Sequence, residues 1–296
     1  MSNNALNLII GGVHKAGTTS LYTYLSWHPE VCGSEIKETH FFSGKKYKKK
    51  HTDYDSYFKN YKQQKYKLEA SPEYIYEKGT AINNILKETN SPKLIFIFRN
   101  PSDKILSSFN HRKKNLLFDN EYSFNDFRKE HLDLNSLEEI TGENKYSREL
   151  LDGSYIDYLH IWFDKFNQEN IKIIFFDELK DNPKQIVDSL CQWLEIDREF
   201  FKDTIFTIEN KSVVFKNQLL QKWAMNISLK IEPLIRNNFK IKNFLRNIYY
   251  SVNVNNKELQ VDENSLKEID KLYLKKNKSL KQFLIKKGYT NFPEWL

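Results

Sequence analysis

Cysteine is nearly absent from this chain. Cys32 and Cys191 are the only two in 296 residues, and they form neither a metal-ligand spacing nor a disulfide framework. A reducing, cytoplasmic setting is therefore the expectation. Long apolar runs are missing as well. No stretch approaches the ~20 apolar residues that a membrane-spanning helix needs, and no secretory leader pattern is visible at the N-terminus. The seven histidines show no H-x-x-x-H or H-E-x-x-H spacing, so no metal site is expected. Glycine is scarce, nine residues in all, yet Gly11, Gly12 and Gly17 crowd into one short stretch.

Aromatic and charged residues are plentiful. With 40% apolar residues, 21 Phe and 17 Tyr, the chain can bury a substantial core, which excludes wholesale disorder. The net charge of +7 is unevenly placed. Segment 37–67 holds ten lysines against Glu38, Asp53 and Asp55. A second basic stretch runs from Lys216 to Arg246, through Lys222, Lys230, Arg236, Lys240 and Lys242, and is opposed only by Glu232. These are either solvated surface or a rim that attracts an anionic cofactor or substrate. No recognised nucleic-acid-binding module is present, so nucleic acid is not expected as a partner.

Short runs rich in Ile and Phe predict buried strands at residues 6–11, 67–70, 93–99 and 171–176, as a parallel sheet covered on both faces requires. Helical patterns fall between them at 18–27, 80–88, 101–114, 155–167 and 183–194. This alternation predicts an α/β fold, a P-loop-type parallel sheet flanked by helices. After about residue 200 only helices are expected, at 216–250 and 263–287. The expected organisation is a single domain over residues 1–296, with an α/β core (about 5–200) and a helical C-terminal region (about 201–296).

The first strand runs into "GGVHKAGTTS". Gly12 and Gly17 have the spacing of a nucleotide-triphosphate loop, G-x-x-x-x-G-K-[ST], and Thr19 fills the hydroxyl position. Thr18, however, stands where that loop has its lysine, and a lysine appears three residues earlier, at Lys15. A glycine turn opening a helix presents backbone N–H groups and the positive end of the helix dipole to an anion. Lys15, Thr18 and Thr19 add further donors. A second anion site is suggested by "KLIFIFRNPSDKILSSFNH", where Arg99 ends a strand, Pro101 starts a helix and Ser107 lies two turns along. Two such sites suit a ligand with two separated phosphates.

These residues resemble the sulfotransferases that use 3′-phosphoadenosine-5′-phosphosulfate (PAPS). Lys15-Ala16-Gly17-Thr18-Thr19 matches that family's 5′-phosphosulfate loop, K-x-G-T-[TS]. Arg99-Asn100-Pro101 with Ser107 matches its 3′-phosphate site. "HPEVCGSEIKETHFFS" (28–43) is similar to its H-P-x-[VI]…K-E-x-x-F-F segment, and "EASPEYIY" (69–76) to its E-[KA]-[ST]-P-x-Y segment. "GSYIDYLHIWFDKF" (153–166) matches a later helix. Within the family the chain looks closest to bacterial enzymes and to the heparan sulfate N- and O-sulfotransferase branch.

The resemblance implies transfer of a sulfuryl group from PAPS to a hydroxyl or amine acceptor, a carbohydrate or glycan, with adenosine 3′,5′-bisphosphate as product and no metal. Lys15, Ala16, Gly17, Thr18, Thr19, Arg99 and Ser107 would bind the donor, with Lys216 in the late cofactor loop (210–218). Lys15 would stabilise the leaving phosphate. Glu38 would be the general base, with His40 as the alternative. Lys37, Glu69 and Ser71 would hold the acceptor. Ala70 departs from the glycan branch, which has a lysine there. Peripheral membrane contact follows if the acceptor is lipid-linked. Two other readings are weighed. A P-loop kinase or phosphotransferase calls for a lysine after Gly17 and a strand-end aspartate, where this chain has Thr18 and Arg99. A non-catalytic protein binding anionic glycans would not need both Lys15 and Arg99.

Overall fold

The computed structural model describes residues 6–47, 54–119, 121–132, 145–207, 214–235, 248–255 and 263–296, and positions 137, 140 and 245. In chain order the elements are β1 (Leu6–Gly12), α1 (Thr18–Ser26), β2 (Val31–Gly33), α2 (Gly44–Tyr47), β3 (Tyr66–Ala70), α3 (Thr80–Glu88) and β4 (Lys93–Phe98). Next come α4 (Pro101–Lys114), α5 (Phe124–His131), α6 (Lys145–Leu151), α7 (Ile156–Lys165), β5 (Ile171–Phe175), α8 (Phe176–Asp181) and α9 (Pro183–Leu194). The last are β6 (Val214–Phe215), α10 (Gln218–Ile235), β7 (Val254–Asn255) and α11 (Glu263–Lys286).

Five strands form one parallel sheet in the order β2-β3-β1-β4-β5. Its central strands carry continuous apolar runs because helices cover both faces. Leu8, Ile9 and Ile10 of β1 and Leu94 through Phe98 of β4 have no exposed surface. Each such side chain contributes about 1.5–3 kcal/mol on burial. The β1–β4 pairing sets Ile9 beside Leu94 and Ile10 beside Ile95. The loops leaving the carboxyl ends of these two strands are therefore neighbours. β1 is also where the strand order turns, with β3 on one side and β4 on the other, and ligands of open α/β sheets bind at such a point.

Local chemistry starts and stops the helices. Asn100 accepts a hydrogen bond from the Ser102 N–H, and Pro101 takes the first position of α4, where its missing N–H costs nothing. Ser123 and Asp126 form a capping box on α5, and Pro183 opens α9. A second apolar cluster gathers Ile105, Phe109, Phe124, Phe127, Leu150, Ile269 and Tyr273. It ties α11 to α4, α5 and α6.

The main departure from the sequence expectation is β2, a three-residue strand too short to carry an alternation signal. After residue 200 the chain is not wholly helical, since β6 and β7 form a small antiparallel ladder. The expected 216–250 helix is described as α10 and as helical turns at 248–253. Residues 236–244 lie outside the described residues. The C-terminal segment packs on the core. Leu280, Leu284 and Leu296 join the main apolar cluster, and the Tyr289 hydroxyl accepts a hydrogen bond from the N–H of Ile173 on edge strand β5 at 3.1 Å.

Candidate active site

A cleft of about 660 Å³ opens beyond the carboxyl ends of β1 and β4. Lys15, Gly17, Thr18, Thr19, Glu38, Arg99 and Ser107 all line it. Seven residues foreseen from sequence thus converge on one space, although they come from three separate segments.

The loop after β1 is shaped by glycine. Gly17 has φ 83° and caps α1 with no side-chain hydrogen bond, so the first N–H groups of α1 are left for an external acceptor. A Cβ at Gly17 would also come within 3.1 Å of the Phe176 ring and 3.2 Å of Leu179. Lys15 itself has φ 64°. Burial, then the charges of Lys114 and Arg99, lower its pKa from 10.5 to about 8. It remains charged at neutral pH, but in a setting that favours an anion beside it.

Arg99 joins the two halves of the cleft. Its Nη1 donates to the Lys15 carbonyl at 3.0 Å, and its guanidinium stacks on Phe176 at 4.5 Å. The Tyr155 hydroxyl donates to the Arg99 carbonyl at 2.7 Å, fixing the strand end. Arg99 Nε is buried and meets no acceptor among the described residues. A buried donor in that state carries a free-energy cost of about 1–3 kcal/mol, which an anion in the cleft would relieve.

Opposite the loop stands Glu38, whose side chain is 47% exposed and whose Oε1 accepts from Lys37 Nζ at 2.6 Å. Three of the described non-glycine residues with positive φ are Lys15, Glu38 and His40, a strain that needs outside support. Glu69 and Ser71 supply much of that support. Neither has any exposed surface. Glu69 accepts a hydrogen bond from the Thr39 hydroxyl, Ser71 Oγ accepts from the His40 N–H at 3.0 Å, and the Ala70 carbonyl accepts from the Glu38 N–H at 2.9 Å. Both side chains therefore lie behind the loop that carries Glu38, and the structure gives them no access to an acceptor. Burial raises the pKa of Glu69 above the usual carboxylate value.

His40 is absent from the cleft lining, and its Nδ1 lies 3.3 Å from Glu73. Ala16 is fully buried and offers only its backbone. Lys216 is exposed and does not line the cleft. Residues 210–213 of the late loop lie outside the described residues.

His14, Asp103, His111, Phe176, Asp177 and Lys180 also line the cleft and were not foreseen. Asp103, Ser107 and His111 sit at i, i+4 and i+8 on α4, so helical spacing from Ser107 pointed to the other two. Burial first, then Lys15 and Lys114, push the His111 pKa down to about 4. His111 is therefore neutral at pH 7. Asp177 and Lys180 belong to α8, whose link to the site carried no sequence signal.

Behind the loop lies a buried charge cluster. Arg112 Nη2 donates to Glu149 Oε1 at 2.6 Å, and His14 Nε2 is 3.8 Å from the same oxygen. Burial pushes the Glu149 pKa up, but the neighbouring His14, the hydrogen bond and charge of Arg112 and the charge of Lys104 outweigh it and bring it from 4.5 down to about 2. A carboxylate lowered in the fold adds stability above its unfolded pKa and loses it as pH falls through the folded one. Glu149→Gln is expected to cost on the order of 2–3 kcal/mol at neutral pH and to flatten the acid limb of the stability curve between about pH 4.5 and 2. Urea unfolding at stepped pH measures this.

The geometry agrees with what the chain is similar to. The family model described as "Sulfotransferase domain" matches residues 6–281. A bifunctional heparan sulfate N-deacetylase/N-sulfotransferase 1 from Caenorhabditis briggsae is 28% identical over 197 residues, covering 64% of this chain but 22% of that relative. A membrane-associated sulfotransferase, kil1, from Dictyostelium discoideum is 32% identical over 127 residues, 40% of this chain and 26% of the relative. The chain thus spans only about a quarter or less of the length of these curated relatives. The crystal structure of a sulfotransferase from Alicyclobacillus acidocaldarius superposes with a TM-score of 0.56 at 23% identity, over 80% of this chain and 98% of that one. A family match across nearly the whole sequence, on a cleft built from its first strand loop, shows that the chain belongs to the sulfotransferase domain family.

Proposed function

We propose that this sulfotransferase takes its sulfuryl group from PAPS and passes it to a hydroxyl or amine of a carbohydrate or glycan acceptor. The observation that carries the reading is the Arg99–Lys15 contact at 3.0 Å, which makes one cleft of two anion-binding segments. When bound, PAPS supplies a sulfuryl group on a phosphate leaving group, the chemistry of an in-line displacement. The chain's residues bind, orient and move a proton. The α1 N-terminus, Lys15, Thr18 and Thr19 hold the 5′-phosphate end. Arg99, through its free Nε, and Ser107 hold the 3′-phosphate. Lys15 stabilises charge that grows on the leaving oxygen, in a desolvated setting where such stabilisation is large. Glu38 takes the acceptor proton. His40, engaged with Glu73, is the less favoured base. Lys37 fixes the Glu38 carboxylate, while Glu69 and Ser71 hold the Glu38 loop from behind.

The acceptor is proposed as a glycan because the relatives named for heparan sulfate act on one and because lysines and tyrosines of residues 57–67 flank the Glu38 loop. Lys59 reaches Glu35 at 3.2 Å, and the Glu35 N–H donates to the Tyr57 carbonyl. A cytoplasmic location is proposed on cysteine usage alone.

Thermal-shift titration tests the donor. Adenosine 3′,5′-bisphosphate is expected to add about 2.7 kcal/mol of stability at a hundredfold excess over Kd. Stabilisation by ATP–Mg²⁺ in its place would overturn the reading.

A further inference from the structure

We propose that the outward face of α10 is a docking surface for an anionic lipid bilayer. Over residues 218–228, whose side chains are described, α10 turns apolar residues outward and a polar one inward. Its inward position is Gln221, 5% exposed, whose Nε2 donates to the Lys114 carbonyl at 3.0 Å and whose Oε1 accepts from the Tyr249 hydroxyl. Leu219 and Trp223, by contrast, are 79% and 70% exposed, and Ile227 follows at 42%. These three stand at i, i+4 and i+8, one apolar stripe directed to solvent. Helical turns at 248–253 repeat the feature, with Ile248 50% and Val252 61% exposed. A contiguous exposed apolar stripe marks an interaction surface.

Charge selects the occupant. Lys216 and Lys222, just before and within the stripe, are exposed, and residues 214–228 and 248–254 contain no acid. A second copy of the chain would have to pair this face with itself and bring like charges together. An anionic headgroup layer instead meets the cations while the stripe enters the acyl boundary, and Trp suits that interface. Among the described residues no helix is long and apolar enough to cross a membrane, so the contact lies in the plane of the surface. Lys114, which anchors Gln221, is the last residue of α4, and α4 carries Ser107 and His111 into the cleft. The lipid surface and the reaction cleft thus share one support. The inference does not depend on the donor chemistry.

Co-sedimentation with phosphatidylcholine vesicles, with and without phosphatidylserine, tests it. The wild-type chain is expected to pellet with the phosphatidylserine vesicles, with a blue shift in tryptophan fluorescence that Trp223→Phe reduces. Leu219→Ser/Trp223→Ser and, separately, Lys216→Glu/Lys222→Glu should each weaken binding at least about tenfold, with melting temperatures unchanged. Failure of the wild-type chain to bind, or binding unaffected by both pairs, would overturn the proposal. So would concentration-dependent dimerisation that Leu219→Ser/Trp223→Ser abolishes, which would assign the stripe to a second copy. A missing response to adenosine 3′,5′-bisphosphate would count against the donor reading only.

Discussion

Lys15→Ala is expected to lower kcat by about 10²–10³-fold, the loss seen when one preorganised electrostatic contact is removed from a developing anion. Lys15 enters the cleft from a left-handed backbone position, half-buried, with its pKa drawn down to about 8 mainly by burial. A charge so placed interacts more strongly than one in water. The same value predicts a pH dependence. Binding an anion favours the protonated amine, so above pH 8 binding must first take up a proton. Affinity for adenosine 3′,5′-bisphosphate should therefore fall by up to about tenfold per pH unit above pH 8, and Lys15→Ala should remove that slope. For stability the sign is reversed. The unfolded chain holds the Lys15 proton up to its ordinary 10.5, so this group's cost to folding is relieved as pH rises from about 8 towards 10.5. Calorimetric titration at stepped pH reads the first effect. A kcat within about threefold of wild type would take Lys15 out of the reaction.

Glu38→Gln is the second large effect. Loss of a general base typically costs 10²–10⁴-fold, and here it should come without loss of donor binding, since Glu38 lies across the cleft from the phosphate loop. Steady-state kinetics should show kcat collapsing while the thermal shift with adenosine 3′,5′-bisphosphate persists. His40→Asn is the comparison that assigns the role. If Glu38 is the base, His40→Asn retains most of the activity. If the two outcomes are exchanged, His40 is the base and its contact with Glu73 is the orienting bond. Ser71→Ala probes a different link, because it touches neither ligand and acts through the His40 N–H. It should lower kcat and melting temperature together.

How much of this was legible beforehand follows from the kind of signal each residue leaves. Lys15, Gly17 and Thr19 could be read because spacing in a loop is a local property, and Arg99 with Ser107 because a strand end and a helix start frame them. The four long strands showed as apolar runs. β2 did not, being held by its pairing with β3 rather than by its own pattern. Glu69 and Ser71 were visible as residues but not as buried ones. Their burial comes from tertiary contacts of the strand end with the Glu38 loop, and no sequence period encodes that. Lys180 and Asp177 were illegible because α8 reaches the cleft through the β4–β5 ladder, a pairing across four intervening helices. Lys216 offers only its charge as a signal, and charge alone does not fix direction.

The placement of β1 between β3 and β4 has a consequence for how the site comes into being. Parallel neighbours cannot be made by a hairpin, and the β1 and β4 segments are separated by α1, β2, α2, β3 and α3. Closing such a loop carries its entropic cost before any contact rewards it. A slip of one residue in the β1–β4 register would send the side chains at the end of β4 to the opposite face, and Arg99 with them. A chain that has collapsed but not set this register has a glycine loop and an arginine, yet no anion site. Anion binding at this cleft is thus expected late in folding, and ligand-dependent protection should report the completed central sheet rather than the loop alone.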